Sequence, residues 1–138
     1  MANEYKPYVE QYNAKDCVVM VDGEYITGLG EDMISIEKEE ALAENSVGAQ
    51  GDIVRSVINN GIYNVTLTVQ SKSPKISTLW ALSKTNEFFP ISIANKSLGM
   101  SFEGTKAQFM EMPEYALGAT AEDLEFTICV YDGQYTFG

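Results

Sequence analysis

The chain has no histidine and only two cysteines among its 138 residues, and these shortages exclude most catalytic and metal sites. Without imidazole, Ser-His-Asp and Cys-His nucleophile systems and the common zinc sites cannot be built. Cys17 and Cys129 are too few for a disulfide framework or a four-thiolate zinc site. We therefore expect two free thiols in a reducing compartment, and neither a metal nor a cofactor.

Basic residues are also scarce, with nine Lys and Arg against twenty Asp and Glu, a net charge of −11. Such a chain should not bind nucleic acid phosphates stably. The acidity is uneven, because residues 1–50 hold eleven acids and three bases while residues 51–138 hold nine acids and six bases. Ordinary solubility is a sufficient explanation for a small acidic protein, so the charge alone assigns no function.

Long apolar runs are missing as well. No stretch approaches the ~20 residues of a membrane-spanning helix, and the polar start MANEYKPYVEQYNAKD predicts no secretory signal. A hydrophobic content of 45% in a chain of this length is enough for one core. We predict an N-terminal arm over residues 1–16 and a single domain over residues 17–138.

Most of the domain alternates apolar and polar residues, the pattern of half-buried β-strands. CVVMV (17–21) is followed by Asp22-Gly23, a two-residue hairpin turn, and then by YITGL (25–29). In IYNVTLTVQ (62–70), Asn64, Thr66 and Thr68 face away from the core. Further strands are predicted over residues 33–39, 88–95, 98–104, 106–112 and 124–132.

One helix is predicted from about residue 74 to residue 85. Ser73 is its N-cap, Pro74 is its first residue, and Ile76, Leu79 and Trp80 form its apolar stripe. The predicted fold is mainly β, an antiparallel β-sandwich or barrel with one flanking α-helix and a long extended hairpin or loop.

Residues 40–61 form an unusually long connection, EALAENSVGAQGDIVRSVINNG. Apolar residues in it would be costly to leave exposed, and a partner chain is the natural place to bury them. We expect the segment to be mobile in the free subunit and to become ordered on contact with a partner chain. The predicted inter-subunit contact residues are Val47, Ile53, Val54, Val57 and Ile58.

An enzymatic function is the weakest alternative. Glu37 and Glu39 share one strand face at a spacing of ~7 Å, which suits a pair of glycosidase carboxylates, and Glu122 with Asp123 is a second acidic pair. No aromatic and polar groups converge on either pair in the sequence. We therefore predict no catalytic residues and no enzyme activity.

Several segments occur in an order that resembles a known family. These are VDGEYITGLGED, ISIEKEEALAENSVGAQGD, NNGIYNVTLTVQSKSP, the helix KISTLWAL, FFPISIAN and AQFMEMPEYALGATAEDLEFTICV. Together they cover about residues 17–131. The chain resembles the small tail-tube proteins of contractile-tailed bacteriophages and related phage-tail-like particles.

The resemblance implies a structural subunit that forms hexameric rings, stacked into a tube inside a contractile sheath. Residues 40–61 would then be the inter-ring connection, ordered when the next ring docks. Its partners would be copies of itself, the sheath protein and the baseplate and tail-terminator proteins, in a virion tail or tail-like particle assembled in the host cytoplasm. The helix around Trp80 and the terminal arms would meet the sheath. The alternative is another tube or baseplate assembly protein, such as a secretion-system tube subunit.

An acidic lumen would give the negative charge a purpose beyond solubility, because it would let DNA or ions pass without stable binding. In a ring, strands 33–39 and 62–70 would pair with those of neighbouring subunits into one closed barrel. The predicted lumen-lining residues are Glu37, Glu39, Asn64, Thr66 and Thr68.

Overall fold

The computed structural model describes residues 6–138 and shows a mainly β chain with a single α-helix in that range. The mainly β, antiparallel fold with one helix is thereby confirmed. A short 3-10 helix over Ala14–Asp16 precedes the first strand. The other elements are β1 Cys17–Val21, β2 Glu24–Tyr25, β3 Leu29–Lys38, β4 Ala43–Val47, β5 Ile53–Val57, β6 Tyr63–Val69, α1 Ile76–Ser83, β7 Phe89–Asn95, β8 Met100–Glu111, β9 Leu124–Val130 and β10 Gln134–Phe137.

The main sheet is antiparallel throughout and has the strand order β2-β1-β7-β8-β9-β6-β3. The 12-residue strand β8 divides this sheet into two halves. Its first part pairs with β10, whereas the part from Ala107 onward pairs with β9. We call β3, β6, β9 and the second part of β8 the inner sheet, and β2, β1, β7, β10 and the first part of β8 the outer sheet.

One hydrophobic core joins the two halves. Val65, Leu67 and Phe126 of the inner sheet and Ile93 and Phe102 of the outer sheet are all at most 2% exposed. Their strands alternate, so each half turns one apolar face to the core, and the opposite face of the inner sheet is mainly polar.

Helix α1 lies on the core side of the inner sheet. Leu79 is fully buried, and the Trp80 ring meets the Phe126 ring edge to face at 6.0 Å. The polar face of the inner sheet therefore points away from the helix.

The first hairpin turn is as predicted, with positive φ at Asp22 (54°) and Gly23 (80°). The strand predicted over residues 25–29 is wrong, because only Glu24–Tyr25 pairs with β1. The predicted break between residues 104 and 106 is also wrong, since β8 runs through it.

The predicted helix start is two residues too early. α1 begins at Ile76, and the preceding residues form a turn in which the Ser73 Oγ accepts a hydrogen bond from the Lys75 N–H at 3.2 Å. Ser73 thus accepts from a backbone N–H as an N-cap residue does, but that N–H belongs to the turn before the helix.

The long connection contains a two-stranded antiparallel hairpin of β4 and β5, which in the described part of the chain pair only with each other. The Gly48 N–H donates to the Asp52 carbonyl at 2.8 Å, and Gly51 has a φ of +90° that favours glycine.

The N-terminal arm predicted over residues 1–16 ends in the 3-10 helix, which begins after Asn13. Residues 1–5 lie outside the described residues, and residues 6–13 are exposed and form no helix or strand. The Asn13 side chain accepts a hydrogen bond from the Lys15 N–H at 3.0 Å and caps the 3-10 helix. Over residues 6–138, α1 and the short 3-10 turn offer no helix long and apolar enough to cross a membrane.

Candidate functional site: a polar sheet face and a projecting hairpin

Strand register aligns polar side chains in rows across the inner sheet. Glu37 of β3 lies opposite Asn64 of β6, which lies opposite Cys129 of β9, which lies opposite Gln108 of β8. A second row joins Ser35, Thr66, Thr127 and Glu111. We call this surface the polar face.

Glu39 lies beside Glu37 on this face, just beyond the end of β3. Its N–H donates to the Ile62 carbonyl at 3.0 Å, and the Asn60 side-chain amide donates to its Oε2 at 3.4 Å. Burial raises the pKa of the Cys129 thiol, and the negative charge of Glu39 also raises this pKa. The Glu39 carboxylate therefore lies near Cys129. Glu37 and Glu39 are both exposed.

Thr68 differs from the other predicted lumen-lining residues because it is only 5% exposed. The pairing of β3 with β6 jumps from Leu29 opposite Val69 to Ile34 opposite Leu67, so four residues of β3 bulge over one position of β6. A Cβ on Gly30 would lie 2.9 Å from the Thr68 methyl group. The bulge therefore covers Thr68, whereas Asn64 and Thr66 are half-buried.

Further members of the polar face were not assigned from the sequence. Glu125 lies opposite Thr68, and Glu111, Thr127 and Gln108 complete the rows. The signal was available in LEFTICV, where Glu125, Thr127 and Cys129 alternate with core residues. Only the strand order, which places β9 next to β6, assigns them to the same surface as Glu37.

The inner sheet has an unpaired edge on each side. Among residues 6–138, β3 pairs only with β6, and the pairing of β7 with β8 ends at Phe89 opposite Ala107, which leaves residues 108–111 without a neighbour on that side. β6 lies between β3 and β9. The expectation that both 33–39 and 62–70 pair with neighbouring subunits is therefore wrong for 62–70, whose two edges are already occupied.

The hairpin of β4 and β5 exposes apolar side chains to solvent. Val47 and Ile53 face each other and are both 66% exposed, while Val54 and Val57 are 63% and 61% exposed. Ile58, just beyond β5, is half-buried, and its N–H donates to the Leu42 carbonyl at 2.9 Å. Four of the five predicted contact residues are thus available for a partner.

The two acidic pairs considered from the sequence lie apart in the fold. Glu122 and Asp123 lie in the exposed segment before β9, whereas Glu37 lies opposite Asn64 on the polar face and Glu39 accepts a hydrogen bond from Asn60. Within residues 6–138, no group of three or more Cys, Asp and Glu side chains could hold a metal ion. The exposed features are two sheet edges, a polar face and an apolar hairpin, which are features of a protein that assembles.

This fold is shared with components of contractile injection systems. A chain of the PVC sheath-tube complex in its extended state superposes with a TM-score of 0.70 and 16% identity over 93% of each chain. A chain of the anti-feeding prophage cap, which terminates the AFP tube, gives 0.64 and 12% identity over 98% of this chain and 97% of that one. A chain of the PVC sheath/tube terminator gives 0.59 and 16% identity over 98% and 99%.

These similarities confirm the tail-tube resemblance at the level of the fold. No protein-family model and no curated protein sequence matches the chain.

Proposed function

We propose that the chain is a structural subunit of the tube of a phage tail or phage-tail-like particle, forming stacked hexameric rings whose polar face lines the channel, and that it is not an enzyme. The observation that carries the proposal is the inner sheet, which combines a polar exposed face with one free edge on each side. A sheet with two free edges is prone to pair with further copies until it closes on itself.

Ring closure would join the free edge of β3 in one subunit to residues 108–111 of β8 in the next. Six subunits with four inner strands each would give a barrel of about 24 strands. At a strand spacing of ~4.8 Å and a tilt of about 40°, its backbone diameter would be on the order of 45–50 Å. After side chains are subtracted, such a channel is wide enough for a DNA duplex.

The channel wall would be acidic and hydrophilic. Glu37, Glu39 and Glu125 would repeat around it in every ring, between hydroxyl and amide side chains such as Thr66 and Asn64. Such a wall repels phosphate and offers few apolar groups, so DNA or ions would pass transiently and without stable binding.

The hairpin would contact neighbouring subunits, within a ring or between rings. An isolated two-stranded hairpin is marginally stable in water, and burial of its valines and isoleucine against another copy would stabilise it. Helix α1 lies on the side of the inner sheet opposite the channel face, so it would face outward, toward a contractile sheath. Baseplate and terminator proteins would cap the two ends, and assembly would take place in the host cytoplasm.

A tube terminator is the second candidate, because two of the similar structures named above are a tube-terminating cap and a sheath/tube terminator. A secretion-system tube or baseplate subunit is a third. Stacking separates them, since a tube subunit must present complementary surfaces at both ends of its ring, whereas a terminator needs only one.

Purified protein tests the proposal. Sedimentation and negative-stain microscopy over a range of salt and protein concentrations should reveal hollow filaments of uniform diameter. Single rings that never stack would favour a terminator or baseplate component. Compact monomers under all conditions would contradict the proposal.

A further inference from the structure

The sequence has a single arginine, Arg55, and it lies in the middle of the projecting hairpin. It is exposed and opposite Asn45. Alternation along β5 places it on the same hairpin face as Ile53 and Val57. This face therefore carries one cation between apolar side chains, on a molecule with a net charge of −11.

Arg55 has no acidic partner among residues 6–138, where one salt bridge is found, between Lys75 and Glu24 at 3.9 Å. A guanidinium presents a planar set of donors that suits a carboxylate, and it is more weakly hydrated than an ammonium group. An exposed arginine flanked by β-branched side chains fits an acidic acceptor with apolar walls.

The outer sheet has such an acceptor on the face opposite the core. A cleft of about 490 Å³ lies between β1, β7, β8 and β10. Its apolar wall includes the half-buried Met20 and the exposed Pro90, and its acidic groups are Glu103 and Asp132. We call it the outer cleft.

The two carboxylates of the outer cleft differ in their bonding. Asp132 accepts hydrogen bonds from the backbone N–H groups of Thr105 and Lys106, at 3.0 and 2.9 Å to its Oδ1, and from the Thr105 hydroxyl. These bonds lower the pKa of Asp132 and hold the carboxylate in place. Glu103 is exposed and belongs to no salt bridge in the described part of the chain, so its charge is available to a partner.

A second cleft of about 480 Å³, between α1 and the β1–β2 turn, is a poorer acceptor. It also has two acids, Asp22 and Glu24, but Glu24 already faces Lys75. The ammonium group of Lys75 would repel an approaching arginine.

We propose that the hairpin of one copy docks in the outer cleft of a second copy, with Arg55 paired to Glu103 and Ile53 and Val57 packed on the apolar wall. The proposed occupant of the cleft is a second copy of this chain. Every copy carries the one arginine of the sequence on an apolar hairpin that is exposed in the free subunit. The inference rests on the proposed function, for which it names the acceptor surface of the hairpin. Each contact also sets a positive charge against a negative one, which offsets part of the repulsion between acidic copies.

Site-directed cross-linking tests the contact without requiring a tube. One preparation carries Ile53→Cys and the other Thr136→Cys, a residue of the outer cleft, both in a Cys17→Ser background. We expect a disulfide-linked heterodimer to form under mild oxidation when the two are mixed at high concentration. The matched control replaces Thr136→Cys by Leu117→Cys, because Leu117 is 87% exposed and does not line the outer cleft. Equal yields in the two mixtures would overturn the docking.

Charge exchange tests the ion pair. R55E and E103R should each raise the critical concentration for assembly by about tenfold or more, and the double variant should restore it to within about threefold. K84E and E122R are matched charge reversals outside the contact and should change it by less than about threefold. Thermal unfolding of each monomer verifies the fold.

The outcomes separate the two proposals. If wild-type protein never forms tubes but the Ile53→Cys and Thr136→Cys variants cross-link, the tube is contradicted and the docking is supported. Wild-type tubes whose critical concentration is unaffected by R55E and E103R would support the tube and refute the docking.

Discussion

Polar replacement of the apolar hairpin side chains should abolish assembly while leaving the subunit folded. The variant carries Thr at Val47, Ile53, Val54 and Val57. Threonine keeps the branched shape and the strand preference of valine but replaces a methyl group by a hydroxyl. The four side chains are 61–66% exposed, and within residues 6–138 their two strands pair only with each other, so the unfolding free energy of the domain should change little.

The expected effect on assembly follows from the exposure of these side chains. Full burial of a Val or Ile side chain stabilises by about 1.5–3 kcal/mol, and these four are still 61–66% exposed. Docking could therefore gain about 1–2 kcal/mol at each position, an upper bound because association also costs entropy. A loss of only ~3 kcal/mol over the hairpin weakens each contact about 100-fold.

The assay is the critical concentration for filament formation, measured by sedimentation, with monomer stability measured by thermal unfolding. Leu117→Thr is the matched control, because Leu117 is more exposed than any of the four and lies outside the hairpin. We expect the control to assemble like the wild type and the fourfold variant to remain unassembled. Wild-type assembly by the fourfold variant would refute the role of the hairpin.

Three further outcomes are expected. Replacing Glu37 and Glu39 together by Lys should leave folding nearly intact, because exposed charges contribute little to stability. The same change should slow DNA release from a particle that carries DNA, and normal release kinetics would exclude the lumen mechanism. Backbone amides of residues 40–61 should exchange rapidly in the monomer and slowly in the tube, and equal protection would show that the hairpin is stable alone. Since hydrogen bonds lower the folded-state pKa of Asp132, its stabilisation is present above the ordinary carboxyl pKa and is lost as pH falls through the lower, folded value. The stability difference between wild type and Asp132→Asn should therefore shrink in acid, and a difference that grows would refute this origin.

Strong alternation made much of the fold predictable. Alternation in residues 63–69 predicts a core face of Tyr63, Val65, Leu67 and Val69. The last three are buried and Tyr63 is half-buried, while Asn64 and Thr66 lie on the other face. The turn at Asp22-Gly23 also followed from local sequence, because its positive φ angles suit those residues.

Features that depend on distant contacts were not predictable in the same way. Thr68 follows the alternation of its strand but is covered by a bulge of β3, and nothing in its own segment signals this. β10 was missed because it is short and exposed. It exists because the turn after Asp132 returns the chain to β8, where Gly133 packs so close to Phe102 that a Cβ would lie 2.5 Å from the ring.

The hairpin was only half predicted, since its apolar residues and glycines were recognised but its strand pairing was not. Its five-residue strands have polar and apolar residues on both faces, so the period-2 signal that identified β6 is absent. Sequence alone also could not assign Glu125 to the polar face, because that required the position of β9 beside β6.

The most direct test of the tube proposal is a density map of the assembled protein that resolves side chains. We expect six-fold rings stacked coaxially, an inner barrel closed by β3 of one subunit against residues 108–111 of the next, and the carboxylates of Glu37 and Glu39 in the channel. A map that places both carboxylates on the exterior, or that leaves the edge of β3 unpaired in the assembly, would contradict the proposal.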